Sequence, residues 1–170
     1  MISRDLLWKG IVKDFFRDFV FLFFPATAHR IDWSKGFDFL EQEMAQLAHD
    51  SNSSHRVVDL LVKVHLLNGK EEWFLIHIEI QGYVDEHFAE RMFIYFYRIR
   101  DMFSRKVSQL ALLTDDDEDF HPTEYVEKSE HTETRHKFGC VKLAKKTAKA
   151  DASGRRKTIY FITIRKSATK

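Results

Sequence analysis

Cysteine and long apolar runs are scarce in this chain. Cys140 is the single cysteine among 170 residues, so no internal disulfide can form and nothing calls for an oxidising compartment. The longest apolar run, residues 19–25, is far shorter than the ~20 residues that span a bilayer. Charged residues interrupt the apolar N-terminus, which argues against a signal peptide. The sequence therefore predicts a soluble, cytoplasmic protein.

The remaining composition is that of an ordinary globular domain. Hydrophobic residues make up 44% of the chain and charged residues 31%, which excludes a disordered or fibrous protein. The net charge of +1 conceals a basic C-terminal segment: from Lys142 onward ten Lys or Arg face the one acid Asp151, a charge of +9. The rest of the chain has 17 basic and 25 acidic residues, a charge of −8. Such a segment either contacts a polyanion or is a solvated tail.

Apolar spacing and turn residues predict an α/β protein with a mixed sheet. An amphipathic helix is predicted over residues 5–24, a second helix over 38–48 and a long helix over 85–105. Strands are predicted in a hairpin over residues 56–81 and at 106–114, 136–143 and 158–164, with a solvated loop at 115–122 and an unstructured segment at 144–157. Cys140 falls in a predicted strand and is expected to be a small core residue.

The predicted hairpin has two chemically different faces. Successive strand side chains point to opposite faces. The even-numbered residues of 58–66 and 74–80 (the even face) are all apolar, whereas the odd-numbered ones of 59–65 and 73–81 (the odd face) include Asp59, His77, Glu79 and Gln81. The apolar sets share a face only if paired residue numbers sum to an even number. This favours a three-residue loop that pairs Leu66 with Lys70 over a two-residue Asn-Gly turn. Asp59 then lies diagonally across from Glu79.

The odd face has two interpretations. Two acids that converge with no obvious cation between them repel each other unless a metal or a proton lies there, and oxygen ligands suit Mg²⁺ or Mn²⁺. Alternatively, the odd face is the wet side of the sheet. His65 and His77 share this face, but no HExxH motif or Cys/His spacing supports a zinc site.

Five segments resemble, in order, the blocks of the Rpn branch of the PD-(D/E)XK nuclease superfamily, the recombination-promoting nucleases or transposases. They are residues 5–25, 31–43, 57–82, 88–101 and 110–117. The resemblance covers about residues 5–143. It implies a restriction-endonuclease-like fold, with a mixed β-sheet flanked by helices, in a nuclease-like domain at 1–143. A basic, divergent segment at 144–170 follows.

The resemblance also implies a metal site. Asp59 and Glu79 would be metal ligands, with the carbonyl oxygen of Ile80 as a third ligand. Gln81 stands where many relatives have lysine, and because a carboxamide cannot act as a base, it would orient water or phosphate. The metal would then lower the pKa of the attacking water.

Further residues are assigned to the site by the same resemblance. Glu43 is at the place of an additional acid, although it is equally an ordinary exposed helix residue. Arg91, Tyr95 and Arg98 recur at steps of four and three on one face of the long helix. That face would look toward the site and hold a phosphate; ion pairing or packing under the sheet is the alternative.

The function expected from this resemblance is that of a DNA endonuclease dependent on Mg²⁺ or Mn²⁺ and associated with recombination or transposition. Relatives continue through further helices, whereas here the sequence after Leu143 departs from the family. The alternative is a truncated, catalytically inactive remnant that at most binds nucleic acid. Whether the protein is a monomer or a homodimer is left open.

Overall fold

The computed structural model describes residues 4–43, 45, 58–67, 73–147 and 158–163. The labelled helices within these ranges are α1 (Arg4–Asp14), α2 (Phe16–Phe23), α3 (Pro25–Ala28) and α4 (Phe88–Phe103). The strands are β1 (Phe37–Phe39), β2 (Val58–His65), β3 (Trp73–Gln81), β4 (Val107–Leu113), β5 (Glu124–Lys128), β6 (Glu133–Lys137), β7 (Gly139–Thr147) and β8 (Thr158–Thr163). A 3₁₀ turn spans Trp33–Lys35, and residues 41–43 are helical. No helix in these ranges is long and apolar enough to cross a membrane.

Six strands form a mixed sheet in the order β1-β2-β3-β4-β7-β8. β1, β2 and β3 pair antiparallel, β3, β4 and β7 pair parallel, and β8 pairs antiparallel with β7. β5 and β6 form a separate antiparallel hairpin. α4 connects the parallel strands β3 and β4, as a parallel pair requires a crossover. The predicted mixed α/β sheet with flanking helices is confirmed.

The even face of the hairpin forms the main core against the N-terminal helices. Leu60, Val62, Val64, Ile76 and Ile78 are all buried there, in one cluster with residues of α1 and α2 such as Val12, Phe16 and Val20. Each such side chain contributes roughly 1.5–3 kcal/mol when removed from water. The predicted sorting of apolar side chains onto one face is confirmed.

The odd face is covered by α4. Tyr95 and Ile99 of α4 pack with Leu61 and Leu75 of the sheet. Phe88 and Met92, one turn further toward the N-terminus of α4, pack with Ala111 and Leu113 of β4, and the half-buried Cys140 lies against this second cluster. Burial raises the pKa of the Cys140 thiol to about 12. The polar residues of the odd face therefore lie between the sheet and a helix.

Several predicted element boundaries are wrong. The helix predicted over 5–24 is divided at Phe15 into α1 and α2. Residues 38 and 39, predicted to begin a helix, belong to β1 because Phe37 and Phe39 pair with Val64 and Val62 and pack against the main core. Of the rest of that predicted helix, residues 41–43 and 45 are helical, and residues 44 and 46–48 lie outside the described ranges.

The C-terminal half departs from prediction in two places. The β5–β6 hairpin is absent from the prediction. Its residues are mostly charged and exposed, so its sequence lacks the alternation of apolar and polar residues that marks a half-buried strand. The strand predicted over 136–143 is divided at Phe138 between β6 and β7. Residues 144–147, predicted to be unstructured, extend β7 and pair with β8, whereas residues 148–157 lie outside the described ranges.

Candidate active site

The register of β2 and β3 places Asp59 directly opposite Glu79. All paired numbers in this ladder have an even sum, so the parity prediction is confirmed. The predicted pairing of Leu66 with Lys70 falls on a residue outside the described ranges. The described ladder extends to His65 opposite Trp73, and Leu66 forms a bridge with Ile31 in the main core. Directly opposed residues share a face, with Cβ atoms about 4.5–5.5 Å apart, so the observed register brings Asp59 and Glu79 closer than the predicted diagonal.

Glu79 is an inward-facing carboxylate paired with a cation from α4. Its side chain is 1% exposed, and its Oε1 accepts hydrogen bonds from Arg91 Nε at 3.2 Å and Nη2 at 3.1 Å. Arg91 lies on the first turns of α4, so the crossover helix brings the guanidinium to the C-terminal end of β3. The sequence showed no obvious cation between the two acids, and α4 supplies one to Glu79.

Arg91 also joins Gln81 and Asp85 to this site. Nη2 donates to Gln81 Oε1 at 2.8 Å, and Nη1 donates to Asp85 Oδ2. Gln81 in turn donates from Nε2 to the carbonyl oxygen of Tyr83 at 2.8 Å, which orients its amide oxygen toward Arg91. Burial opposes the charge of Arg91, but the negative charges of Glu79 and Asp85 raise its pKa above the ordinary value. The guanidinium is therefore a permanent cation at this position.

The interpretation of the odd face as the wet side of the sheet is wrong. His77, Glu79 and Gln81 are exposed by only 0%, 1% and 3%. Alternating polar and apolar residues suggest a solvated face only when no second layer covers it; here α4 is that layer. These polar groups are buried together with hydrogen-bonding or ion-pair partners. The alternation of polar and apolar residues in the sequence does not reveal such partners.

His77 and Gln109 extend the buried polar group along the sheet. Burial lowers the pKa of His77 to about 4, against the opposing charge of Glu79, so the imidazole is neutral at pH 7. His77 Nδ1 lies 2.9 Å from Gln109 Nε2, and the two residues are register partners in β3 and β4. Sequence reasoning missed Gln109, although a lone amide within the apolar run of β4 was a usable signal.

Two residues of the predicted helix face, Arg91 and Tyr95, reach the odd face of the sheet. Arg91 contacts Glu79 and Gln81, and Tyr95 is buried with its ring centroid 5.4 Å from that of His77. Tyr95 therefore packs under the sheet, as the alternative for this face proposed. Arg98 is half-buried on the same helix. Phosphate binding by these residues stays a prediction.

Glu43 and Ile80 occupy different surroundings. Glu43 is half-buried in the helical segment after β1, and in the described part of the chain it makes no hydrogen bond to Glu79 or Gln81. The side chain of Ile80 belongs to the main core on the even face, so its implied role concerns its backbone carbonyl oxygen only. Both assignments stay predictions.

The donor chemistry of the site suits a hard cation in part. Among the described residues, no group of three or more His, Cys, Asp or Glu side chains is placed to hold a metal. The ligands that the resemblance implies, Asp59, Glu79 and the carbonyl of Ile80, would all offer oxygen, the ligand atom that Mg²⁺ and Mn²⁺ prefer. Since Glu79 Oε1 already accepts two hydrogen bonds from Arg91, a metal ligated there must share or displace this guanidinium.

Comparisons of the chain with models of protein families, with curated proteins and with solved structures gave no match.

Proposed function

We propose that this protein is a DNA endonuclease that hydrolyses phosphodiester bonds with the help of Mg²⁺ or Mn²⁺, on a PD-(D/E)XK-type core. The observation that carries the proposal is the direct pairing of Asp59 with Glu79. Gln81 follows Glu79 by two residues, so it lies on the same face of β3. Two acids on neighbouring strands and a polar group beyond them form the arrangement that the sequence resemblance to Rpn nucleases implies.

The side chains of this chain have distinct roles in the proposed reaction. Asp59 and Glu79 would hold the metal together with the carbonyl of Ile80, and the metal would supply an activated water at neutral pH. Gln81 cannot take a proton but can donate and accept hydrogen bonds, so it orients water or a phosphate oxygen. Arg91 provides a guanidinium fork suited to phosphate.

Access to the site requires Arg91 to change partners. The guanidinium lies over Glu79, and its side chain is 16% exposed against 1% for Glu79. A phosphate that approaches from solvent therefore meets Arg91 before Glu79. Because carboxylate and phosphate both accept the two-pronged guanidinium, Arg91 can exchange Glu79 for a DNA phosphate, which would leave the Glu79 carboxylate available to a metal.

The second candidate is a catalytically inactive remnant that at most binds nucleic acid. The observation that favours it is the same Arg91–Glu79 pair, since a buried carboxylate matched by a buried guanidinium also serves as a purely structural ion pair. Cytoplasmic location, association with recombination or transposition, and a possible dimeric state belong to the nuclease proposal and are open to the same experiments.

Plasmid nicking separates the two candidates. Supercoiled DNA is incubated with the protein in Mg²⁺, Mn²⁺ or EDTA, and the wild type is compared with Asp59→Asn. Asp38→Asn is the matched control, because Asp38 is an exposed acid on β1 of the same sheet. We expect metal-dependent nicking by the wild type and the control and none by Asp59→Asn. Equal nicking by Asp59→Asn overturns the proposed site, and DNA binding without nicking by the wild type establishes the remnant.

A further inference from the structure

The centre of β4 contains a carboxamide that the proposed function does not use. Gln109 is 6% exposed and lies beside His77 in the parallel register of β3 and β4. Its side chain is held at both ends: Nε2 lies 3.0 Å from the backbone oxygen of Met92 and 2.9 Å from His77 Nδ1, and Oε1 lies 2.6 Å from His136 Nε2. A buried amide with every end engaged has one defined orientation.

The carbonyl of Met92 decides that orientation. A backbone carbonyl oxygen only accepts hydrogen bonds, so the Gln109 atom that faces it must be the amide nitrogen. The same nitrogen faces His77 Nδ1 at 2.9 Å. The NH₂ group has two hydrogens, one for Met92 and one for His77, and therefore His77 Nδ1 must be the acceptor.

The tautomer of His77 follows from this hydrogen bond. An imidazole nitrogen that accepts a hydrogen bond carries no proton, and a ring with one such nitrogen is neutral and has a single proton. With Nδ1 accepting from Gln109, the proton is on Nε2. Nε2 lies 3.8 Å from Oε2 of Glu79, the carboxylate oxygen that Arg91 does not contact in the described pairs. The N–H dipole of His77 is thus on the side of this oxygen.

The other end of Gln109 is anchored by the β5–β6 hairpin. Since Gln109 Oε1 only accepts, His136 Nε2 must donate the 2.6 Å hydrogen bond. The ring of His136 packs against α4, with its centroid 4.4 Å from that of Phe96 and 5.8 Å from that of Phe93. The amide of Gln109 is therefore clamped between α4, β6 and β3, and its reversal would place its oxygen against the carbonyl oxygen of Met92.

We propose that Gln109 is a positioning residue that holds His77 in the Nε2–H tautomer and thereby orients the carboxylate of Glu79. An outer partner of this kind fixes ring and carboxylate orientation at many metal sites, and its loss typically lowers metal affinity by 10–100-fold. The effect on metal affinity rests on the proposed function, whereas the tautomer does not.

Nitrogen chemical shifts test the tautomer directly in the metal-free protein. Long-range ¹H–¹⁵N correlation spectra at pH 7.5 distinguish protonated from unprotonated ring nitrogens, and the signals of His77 among the nine histidines are identified by their loss in His77→Gln. We expect an unprotonated Nδ1 and a protonated Nε2 in the wild type. A protonated Nδ1 in the wild type overturns the proposal without any variant of Gln109.

Gln109→Glu is the decisive variant, because a carboxylate has the same shape but can only accept a hydrogen bond from His77. We expect His77 Nδ1 to become protonated and the ¹³C shift of the Glu79 carboxylate to change.

Gln109→Met, which removes the donor without adding charge, should weaken Mn²⁺ binding in calorimetry by about tenfold or more, and Ser108→Ala on the same strand should not. An unchanged His77 tautomer and Glu79 shift in Gln109→Glu overturn this inference. Absence of Mn²⁺ binding in a wild type with the expected tautomer overturns the proposed function instead.

Discussion

Arg91 Nη2 lies 3.1 Å from Glu79 Oε1 and 2.8 Å from Gln81 Oε1, so a single guanidinium bridges the two polar side chains at the end of β3. A cation from α4 thus neutralises the acid that the proposed function assigns to the metal. The protein needs no ion to keep Glu79 charged and buried. The same contact makes Arg91 a competitor of any metal bound by Glu79.

Arg91→Gln should expose this competition. Without its guanidinium, Glu79 is a buried carboxylate that has lost its charged partner from α4, and loss of one partner of a buried pair costs about 3–5 kcal/mol. In EDTA, the free energy of unfolding by urea should fall by this amount. Addition of Mn²⁺ should then raise the free energy of unfolding of Arg91→Gln by more than it raises that of the wild type. Arg100→Gln, an exposed arginine of the same helix, is the control. A metal response in Arg91→Gln no larger than that of the wild type would remove Glu79 from the metal site.

Glu79→Gln should abolish both metal binding and cleavage. The amide oxygen can still accept from Arg91, but the ligand charge is gone, so Mg²⁺ and Mn²⁺ at millimolar levels should no longer raise the melting temperature. Cleavage should fall by several orders of magnitude because the water loses its activating ion. Thermal unfolding with and without metal and the nicking assay measure the two effects. Retention of both by Glu79→Gln contradicts the proposed mechanism.

Gln81→Ala should separate orientation from metal binding. The substitution removes the acceptor for Arg91 and the donor to Tyr83 but no ligand charge. We therefore expect most of the metal-induced rise in melting temperature to persist while the turnover number falls. If metal binding disappears together with turnover, Gln81 is a ligand or a structural support rather than an orienting group.

Charges at the C-terminus should contribute to DNA binding. Removal of residues 144–170 would delete β8 and the end of β7, so we favour the triple substitution of Arg165, Lys166 and Lys170 by Gln. The slope of log K against log salt should decrease by up to about 3, since each neutralised phosphate contributes about 0.9. Lys128, Arg135 and Lys137 of the β5–β6 hairpin, which face Glu133 and Glu124, provide a control triple. An unchanged slope would show that these three charges do not contact DNA phosphates.

Lys142 should be a large contributor to stability at the end of the parallel strands. Its Nζ pairs with Oδ1 of Asp115 and donates to the carbonyl oxygen of Phe120 at 3.1 Å, with both charged side chains almost fully buried. Lys142→Met leaves the buried Asp115 carboxylate without this cation and should lower the free energy of unfolding in urea by about 3–5 kcal/mol. The double variant Lys142→Met/Asp115→Asn should recover part of this loss, and additive costs would show that the two charges are not coupled.

The sequence by itself determined which residues share a face and which elements carry them. Alternation along β2 and β3 is a local property of an extended chain, so it correctly sorted Leu60 and Ile78 from Asp59 and Glu79. Helical spacing likewise placed Arg91 and Tyr95 on one side of α4. These patterns need no knowledge of distant contacts, and the structure confirms them.

Only the tertiary structure decided what the polar residues of the odd face contact. Crossover of α4 onto the sheet brings Arg91 to Glu79 across twelve residues of sequence and Gln109 to His77 across thirty-two, and no local pattern encodes such pairings. The exact register was not fixed by alternation either, because alternation is satisfied equally by the predicted diagonal placement and by the observed direct opposition of Asp59 and Glu79. A polar side chain can enter a core only where a partner offsets its lost hydration, and the fold, not the strand, supplies that partner.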